Sequence, residues 1–432
     1  TATNFGATGS ASWVTTVKTS TFTAVAGEGY FVNTTGGAVT VNLPAGVAGA
    51  VVAIKDYAGT FDTNEVTVAP NGSDKIAGNN TVDATLTTEG IAVTLVFVDS
   101  TQGWLVTDSG LQSEAPSASY IAATGGNTTL TVCSHKVHIF TGPGTLCVSA
   151  VGNPSGSNTV EYMVVAGGGG GASCSPGANS GMGGGGAGGW RGFTALPTSS
   201  PLVAPAALPV SVQGYPITVG GGGPGGSISG THDGTNGNNS IFSTITSTAG
   251  GGGGYGCGPS RKGSDGGSGG GTGRDGPGGI SSGNTPPTTP AQGEPGGDSV
   301  SGPYGGAGGG GGASAAGGNG STGNSNPTET GGVGGLGAHI SDAFFGPTAS
   351  SYGTPGPTGS SRYFAGGGGA GIYCAGTAGA GGSGGGGAGS RNSPGGVTAT
   401  AGTVNTGGGG GGGGNGGQGG SGIVVIRYKF QN

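Results

Sequence analysis

Val160-Glu161-Tyr162-Met163-Val164-Val165-Ala166-Gly167-Gly168-Gly169-Gly170-Gly171 opens a glycine-rich tract, and Ile423-Val424-Val425-Ile426-Arg427-Tyr428-Lys429-Phe430 closes it. Most of the chain's 116 glycines lie between these two segments, in runs such as Gly250–Gly254, Gly308–Gly312 and Gly407–Gly414. Each bracketing segment is a strongly β-like, largely apolar run of strand length rich in β-branched residues. Without them the tract reads as a flexible linker, since glycine loses the most backbone entropy on ordering and offers nothing to bury. Two such strands, so far apart in sequence, are expected to meet in one folded body.

The tract is not collagen. A triple helix needs glycine at every third position with abundant proline, whereas these glycines are consecutive and the prolines sit in the spacers. Runs of consecutive glycines can instead form extended threefold helices with polyproline II geometry, here called polyglycine II, whose N–H and C=O groups all point outward. Lacking Cβ atoms, such helices can pack side by side and satisfy one another's donors and acceptors, helped by weak Cα–H···O contacts. The expected fold class is all-β: a small N-terminal β module, then a strand-framed glycine-rich domain of packed polyglycine II helices, with no significant α-helix.

The 432 residues carry only 7% charged side chains, with a net charge of −6. Twelve Lys and Arg are scattered without a block, so the sequence offers no phosphate-binding face and no nucleic-acid partner is expected. The longest apolar stretch, Ile91 to Val98, is far short of a membrane helix, and no membrane insertion is expected. No basic stretch followed by an apolar one opens the sequence, so the expectation is a product without a secretory signal, with Thr1 exposed by Met removal or trimming. Cys133, Cys147, Cys174, Cys257 and Cys374 contain no C-x-x-C pair, so no metal or cofactor is expected. A tight hairpin at Gly142-Pro143-Gly144 would set Cys147 opposite about His138, out of register with Cys133. Buried free thiols, or a bridge in another register, are therefore expected.

Four regions are expected: an attachment segment at 1–22 that orders on a partner, with Phe5 and Trp13 as docking candidates, a small β module at 23–107, a linker at 108–129, and a distal glycine-rich domain at 130–432. Alternating runs around 29–32, 38–43, 50–54, 65–68, 84–87, 93–98 and 103–107, parted by turn residues, predict the strands of the module. His135 and His138, at odd spacing on a strand, are expected on opposite faces, one buried and one exposed.

Val160–Gly171, Tyr215-Pro216-Ile217-Thr218-Val219-Gly220-Gly221-Gly222-Gly223 and Gly420–Tyr428 together resemble the glycine-rich domain of bacteriophage tail-fibre proteins and adhesins, over about Ser134 to Phe430. The stretch from Gly29 to Val106 is similar to small β modules of marine phage fibres. The resemblance implies layered polyglycine II helices holding distal loops that bind the host surface, in a virion protein assembled in the host cytoplasm. It also implies a homotrimer, docking to other tail proteins through the N-terminus, and a host glycan or outer-membrane protein as receptor. No family binding residue transfers to a position here, so the tip candidates are chosen by chemistry. Trp190, Arg191, His339, Phe344, Phe345, Tyr352, Arg362 and Tyr363 are large side chains in the spacers, and exposed aromatics give contact area at low entropy cost. The competing expectation is that these rings cap the glycine lattice, with Phe193 and Phe364 the foremost structural cases.

No enzyme is expected. The acids of the tract, Asp233, Asp265, Asp275, Glu294, Asp298, Glu329 and Asp342, are isolated in turn-like contexts rather than paired for glycoside hydrolysis, and no nucleophile elbow occurs. Gly-x-Gly-x-x-Gly matches mean nothing in this composition, because no helix follows them. The rival to an adhesin is a structural protein forming extracellular or virion filaments by polymerisation.

Overall fold

The computed structural model describes residues 11–80, 83–111, 119–153, 156–175, 180–197, 199–257, 261–274, 279–301, 305–321, 329–373, 376–391 and 397–431. Phe5, Tyr304 and Cys374 lie outside them. The chain divides into two compact units, Thr1–Ser117 and Ala118–Asn432. It is nearly all β. Helix among the described residues is confined to two 3-10 segments, Asp342–Phe344 and Gly346–Ser351.

The first unit holds β1 (Ser12–Lys18), β2 (Phe22–Thr23), β3 (Glu28–Val32), β4 (Val39–Asn42), β5 (Val51–Asp56), β6 (Val66–Ala69), β7 (Lys75–Ile76), β8 (Asn79–Asn80), β9 (Ala84–Leu86), β10 (Ile91–Asp99) and β11 (Gly103–Leu111). Successive strands alternate between two sheets, and within each sheet they pair in parallel, β1 with β3 with β5 and β2 with β4 with β6. The chain therefore winds in short coils, which the antiparallel hairpin β10–β11 and strand β9 close. Alternation decides which side chains enter: in β4 and β6 the valines are buried and their neighbours half-buried. The core gathers Tyr30, Val32, Val41, Leu43, Ile54, Phe61, Val68, Leu95, Phe97 and Trp104. The Asp56 carboxylate, 3% exposed, accepts from the backbone N–H groups of Ala58, Gly59, Thr60, Phe61 and Gly90, which satisfies a buried charge without a cation.

This arrangement redraws the expected regions. Ser12–Lys18 is not a free attachment segment but the edge strand of the seven-stranded sheet. Trp13 lies over Gly29, whose missing Cβ makes room for the indole, and beside Phe31 at 4.9 Å. Asp108–Leu111 belongs to β11 rather than to a linker, and strands of the second unit already begin at Ala122.

The second unit contains β12 (Ala122–Thr124), β13 (Thr128–Val132), β14 (His135–Phe140), β15 (Gly144–Ala150), β16 (Thr159–Val165), β17 (Trp190–Phe193), β18 (Leu208–Pro209), β19 (Gln213–Thr218), β20 (Ser240–Phe242) and β21 (Ile245–Ser247). After a long glycine passage come β22 (Glu329–Thr330), β23 (Ala338–Ser341), β24 (Ser361–Phe364), β25 (Gly376–Thr377) and β26 (Ile423–Lys429). The two framing strands do meet. β16 and β26 pair antiparallel from Glu161↔Arg427 to Val165↔Ile423, at the centre of the sheet β13-β14-β26-β16-β17. One face of it, with Val160, Tyr162, Val164, Val424 and Ile426, packs on Leu146, Val148, Tyr215, Ile217 and Phe242 of the sheet β12-β15-β19-β20-β21. The other face, with Met163, Val165, Ile423 and Val425, is covered by Ile340, Phe344, Phe345 and Phe364. Burial on both faces explains why neither framing strand alternates.

The turn at Gly142-Pro143-Gly144 does not close a hairpin, because β14 pairs with β26 and β15 with β12 and β19. Cys133, in the turn between β13 and β14, and Cys147, in β15, are exposed free thiols, not buried ones. His138 is buried and His135 half-buried, on opposite faces of β14.

The glycine runs leave these strands and pack as a lattice of threefold helices. Gly168 and Gly171 donate to Gly420 and Gly417, Gly169 and Ala172 to Gly186 and Gly183, and Gly170 and Ser173 to Thr235 and His232. Every third residue addresses the same neighbour while the acceptor steps back by three, which is the signature of antiparallel polyglycine II helices. Residues 183–189 run through the middle, donating to 254, 308, 410, 251, 311, 407 and 248 in turn. They accept from Gly169, Ala172, Ser268, Gly271 and Gly368 as well, so six other runs surround them. At the edge only one row faces inward: Gly220, Gly223 and Gly226 are buried, while Gly221 and Pro224 are exposed. Ordering a glycine costs about 0.5–1 kcal/mol more than ordering an alanine, and a net hydrogen bond returns about 1 kcal/mol. A near-complete lattice is the condition for such a body to hold.

Candidate functional site

Strands end several of the glycine runs on one side, at junctions such as Val165–Ala166, Gly189–Trp190 and Gly422–Ile423. The other ends of the runs interlock through single bridges: Met182 with Tyr255 and Gly371, Ile372 with Arg391, Ser321 with Thr330, and Thr398 with Asn415. Here polar and aromatic side chains replace glycine. Ser175 Oγ lies 2.9 Å from His232 Nε2 and 3.3 Å from the Tyr255 hydroxyl. Ser173 Oγ is 3.1 Å from His232 Nδ1 and donates to the His232 carbonyl at 3.4 Å, so each ring nitrogen meets a serine hydroxyl. The imidazole and the phenol ring stand 4.6 Å apart. The Asp233 carboxylate accepts from the Tyr255 N–H at 2.7 Å, which ties two neighbouring runs. Arg261, Lys262, Arg274 and Arg391 end runs on the same side, with Lys262 bridged to Asp265 at 3.0 Å.

Burial pushes the Cys174 thiol up to about 12, aided by the neighbouring Cys257. At neutral pH it is a packed thiol against Met182 and Ala172, not a nucleophile. No group of three metal-ligating side chains occurs among the described residues. The chemistry this end offers is hydrogen bonding by hydroxyls, an imidazole and guanidinium groups beside an aromatic face, on a scaffold with almost no side chains to rearrange.

The sequence-derived tip candidates lie elsewhere. Trp190, Phe344, Phe345 and Tyr363 are at most 2% exposed. The first three pack in the core on the second face of the β16–β26 sheet. The segment between β23 and β24 folds back over the strands, so its rings fill the sheet's cover and do not reach the free ends of the runs. Tyr352 stacks on Phe345 at 4.9 Å, and His339 lies over Tyr363 at 5.1 Å, its imidazole pushed below the ordinary value by burial. The Arg362 guanidinium donates to the carbonyls of Tyr352 and Gly353, at 2.7 and 3.0 Å, and fastens this fold-back. Arg191 is half-buried in β17 opposite Val164. Trp13 is 45% exposed on the edge strand of the first unit.

Two polar groupings escaped sequence reasoning. His232, between Thr231 and Asp233 in a spacer, gave no local signal. Glu161 and Arg427 did: they are the opposite charges inside two otherwise apolar strands, each two residues from a residue of the same face. In the structure they sit in register and form an ion pair at 2.6 Å.

A family of glycine-rich domains matches residues 141–429. The chain belongs to that family. The match starts at the turn before β15 and ends on the last residue of β26, so it takes in the lattice and the strands from β15 onward, while β12, β13 and β14, which complete the two sheets, precede it. No curated protein matches the chain.

Proposed function

We propose that this protein is a receptor-binding adhesin of the phage tail-fibre kind, which attaches a virion to its host cell, and that the glycine-rich domain is the host-facing part. The observation that carries this reading is the division within the domain. The two large sheets and both large apolar cores gather at one side of the runs, with only the two-residue strands β22 and β25 at the other. The opposite ends carry the Ser173–Ser175–His232–Tyr255 network and four basic residues on a rigid body. Such a scaffold holds the side chains of this network in fixed positions, which lowers the ordering cost of binding a glycan or an outer-membrane protein. The reading includes a homotrimer in the virion, held to other tail proteins through the first unit, and binding rather than catalysis.

The test uses the purified full chain, fluorescently labelled, against a panel of bacterial strains. Saturable binding to a subset of strains, reduced at least tenfold by the double substitution His232→Ala and Tyr255→Ala, is the expected result. Absence of saturable binding on every strain, together with open-ended fibrils in negative stain, would replace the adhesin with a filament-forming structural protein.

A further inference from the structure

Two cysteines far apart in sequence are brought level at the ends of the runs remote from the large sheets. Gly250 and Gly253 donate to the carbonyls of Gly167 and Gly170, both at 2.9 Å, so these two runs lie side by side and parallel. Carried four residues past Gly170 and Gly253, that register sets Cys257 beside Cys174. Side-chain contacts agree with it. Cys174 packs with Met182 and Tyr255, and Met182 and Tyr255 are joined by a bridge. The Tyr255 hydroxyl is hydrogen-bonded with the Cys257 thiol, and Cys257 acts electrostatically on Cys174. The Ser180 N–H points at the Cys174 sulfur, while Gly256, the residue before Cys257, lies so close to Ser180 Oγ that a Cβ would not fit. Backbones joined by such hydrogen bonds lie about 5 Å apart, as neighbouring strands do. A disulfide spans roughly 4.4–6.8 Å between Cα atoms. Cys257 is exposed and Cys174 buried, so one sulfur is open to a reagent and the other is sealed from it.

We propose that Cys174 and Cys257 are a disulfide site, which a small disulfide such as oxidised glutathione closes into a clasp between the two runs. The inference goes beyond the adhesin reading and does not depend on it. Cys257 gives up its proton and attacks one sulfur of the reagent, whose S–S bond breaks and releases one glutathione as a thiol. The Cys174 sulfur then attacks Cys257 Sγ and expels the second glutathione, which takes up the Cys174 proton. Two protein thiols lose two electrons, and one glutathione disulfide gains them as two thiols. Burial keeps Cys174 protonated at neutral pH, so the second step is the slow one and quickens as pH rises. Its position beside the mixed disulfide makes the step intramolecular, which offsets the scarcity of thiolate. The clasp ties the run that carries Ser173 and Ser175 to the run that carries Tyr255. A reducing compartment leaves the site open, and an oxidising one closes it.

The test uses the full chain carrying Cys133→Ser and Cys147→Ser, which removes the two other exposed thiols. It is incubated with oxidised glutathione, digested without reduction, and its linked peptides are mapped by mass spectrometry. A Cys174–Cys257 link is expected, with a rise in melting temperature of about 5 °C or more that dithiothreitol reverses. Adding Cys257→Ser should remove both the link and the rise, while the reduced forms of the two proteins melt together. Adding Cys174→Ala instead should strand one glutathione on Cys257, where no second thiol can displace it. A link from either residue to Cys374, glutathione held on Cys257 without an internal bridge when Cys174 is present, or a bridge that leaves the melting temperature unchanged overturns the proposal. Attachment to cells is a separate readout: a chain that closes the bridge yet attaches to no cell keeps the clasp and removes the adhesin.

Discussion

Gly410 donates to Gly169 at 2.9 Å and accepts from Gly185 at 2.8 Å, and a Cβ placed on it would run into the backbone carbonyls of Gly417 and Gln418. Those neighbours are backbone, held in their own runs, and have no rotamer by which to yield. Gly410→Val should therefore cost about 4 kcal/mol or more, against roughly 0.5 kcal/mol or less for Ser229→Val on an exposed turn. Chemical denaturation of the two variants measures the difference, and a small loss at Gly410 would mean that this run is not part of a packed lattice. A second expectation concerns the histidines. Burial lowers the values of His135, His138 and His339 in the folded chain, and His138 is further fixed between the Gly125 carbonyl, 2.7 Å from Nδ1, and the Tyr428 hydroxyl, 3.0 Å from Nε2. The unfolded chain takes up protons near pH 6.5, ahead of these folded sites, so falling pH favours the unfolded chain. The denaturation midpoint should fall as pH drops from 7.5 to 5, with imidazole NMR titrations of the native protein lying below 6.5. Native histidines titrating above 6.5 would reverse the sign.

At the scale of elements, β26 is the piece on which the second unit depends. It lies between β14 and β16, supplies Ile423 and Val425 to one core and Val424, Ile426 and Tyr428 to the other, and is made last. Deleting residues 423–432 takes a central partner from each neighbour, splits the sheet between β14 and β16, and opens both cores. Trp190 should then become solvent-exposed in fluorescence, while limited proteolysis spares a fragment ending near Ser117, since Trp104 and its core belong wholly to the first unit. A truncated chain with native Trp190 fluorescence would contradict this. The meeting of the two strands was legible in the sequence, because two apolar β-like segments that frame a glycine tract have little but each other to bury against; that each is covered on both faces was not. The strands of the first unit were legible for the same kind of reason, through alternation. Their parallel coiling was not, since alternation fixes which face a residue takes and not which strand lies beside it. Phe344, Phe345 and Tyr363 were misplaced because an aromatic in a spacer has the same local sequence whether the segment projects from the runs or folds back over a sheet. The contact that decides, between these rings and β16 and β26, is long-range.

For the molecule as a whole, the lattice raises the question of whether a body of glycine behaves as a cooperative core. Composition pointed to a packed array but could not say which runs are central, because glycine carries no side chain to display a buried face. The structure places residues 183–189 at the centre, with every amide bonded to a different run from its neighbour's. Opening any one of those bonds by local fluctuation would require moving a chain that is itself bonded to several others. The run frays only from its ends. Peptide-level hydrogen exchange should therefore protect Gly183–Gly189 as strongly as β16 and β26, with opening governed by global unfolding of the domain. The edge run from Gly220 to Gly226, with one row in three buried, should exchange faster despite an almost identical composition. Equal, rapid exchange of both runs would show that the glycines are held by the strands at their base alone. A graded protection, highest at the centre and lowest at the edge, is the outcome expected of a lattice in which each threefold helix is stabilised by the number of neighbours it has.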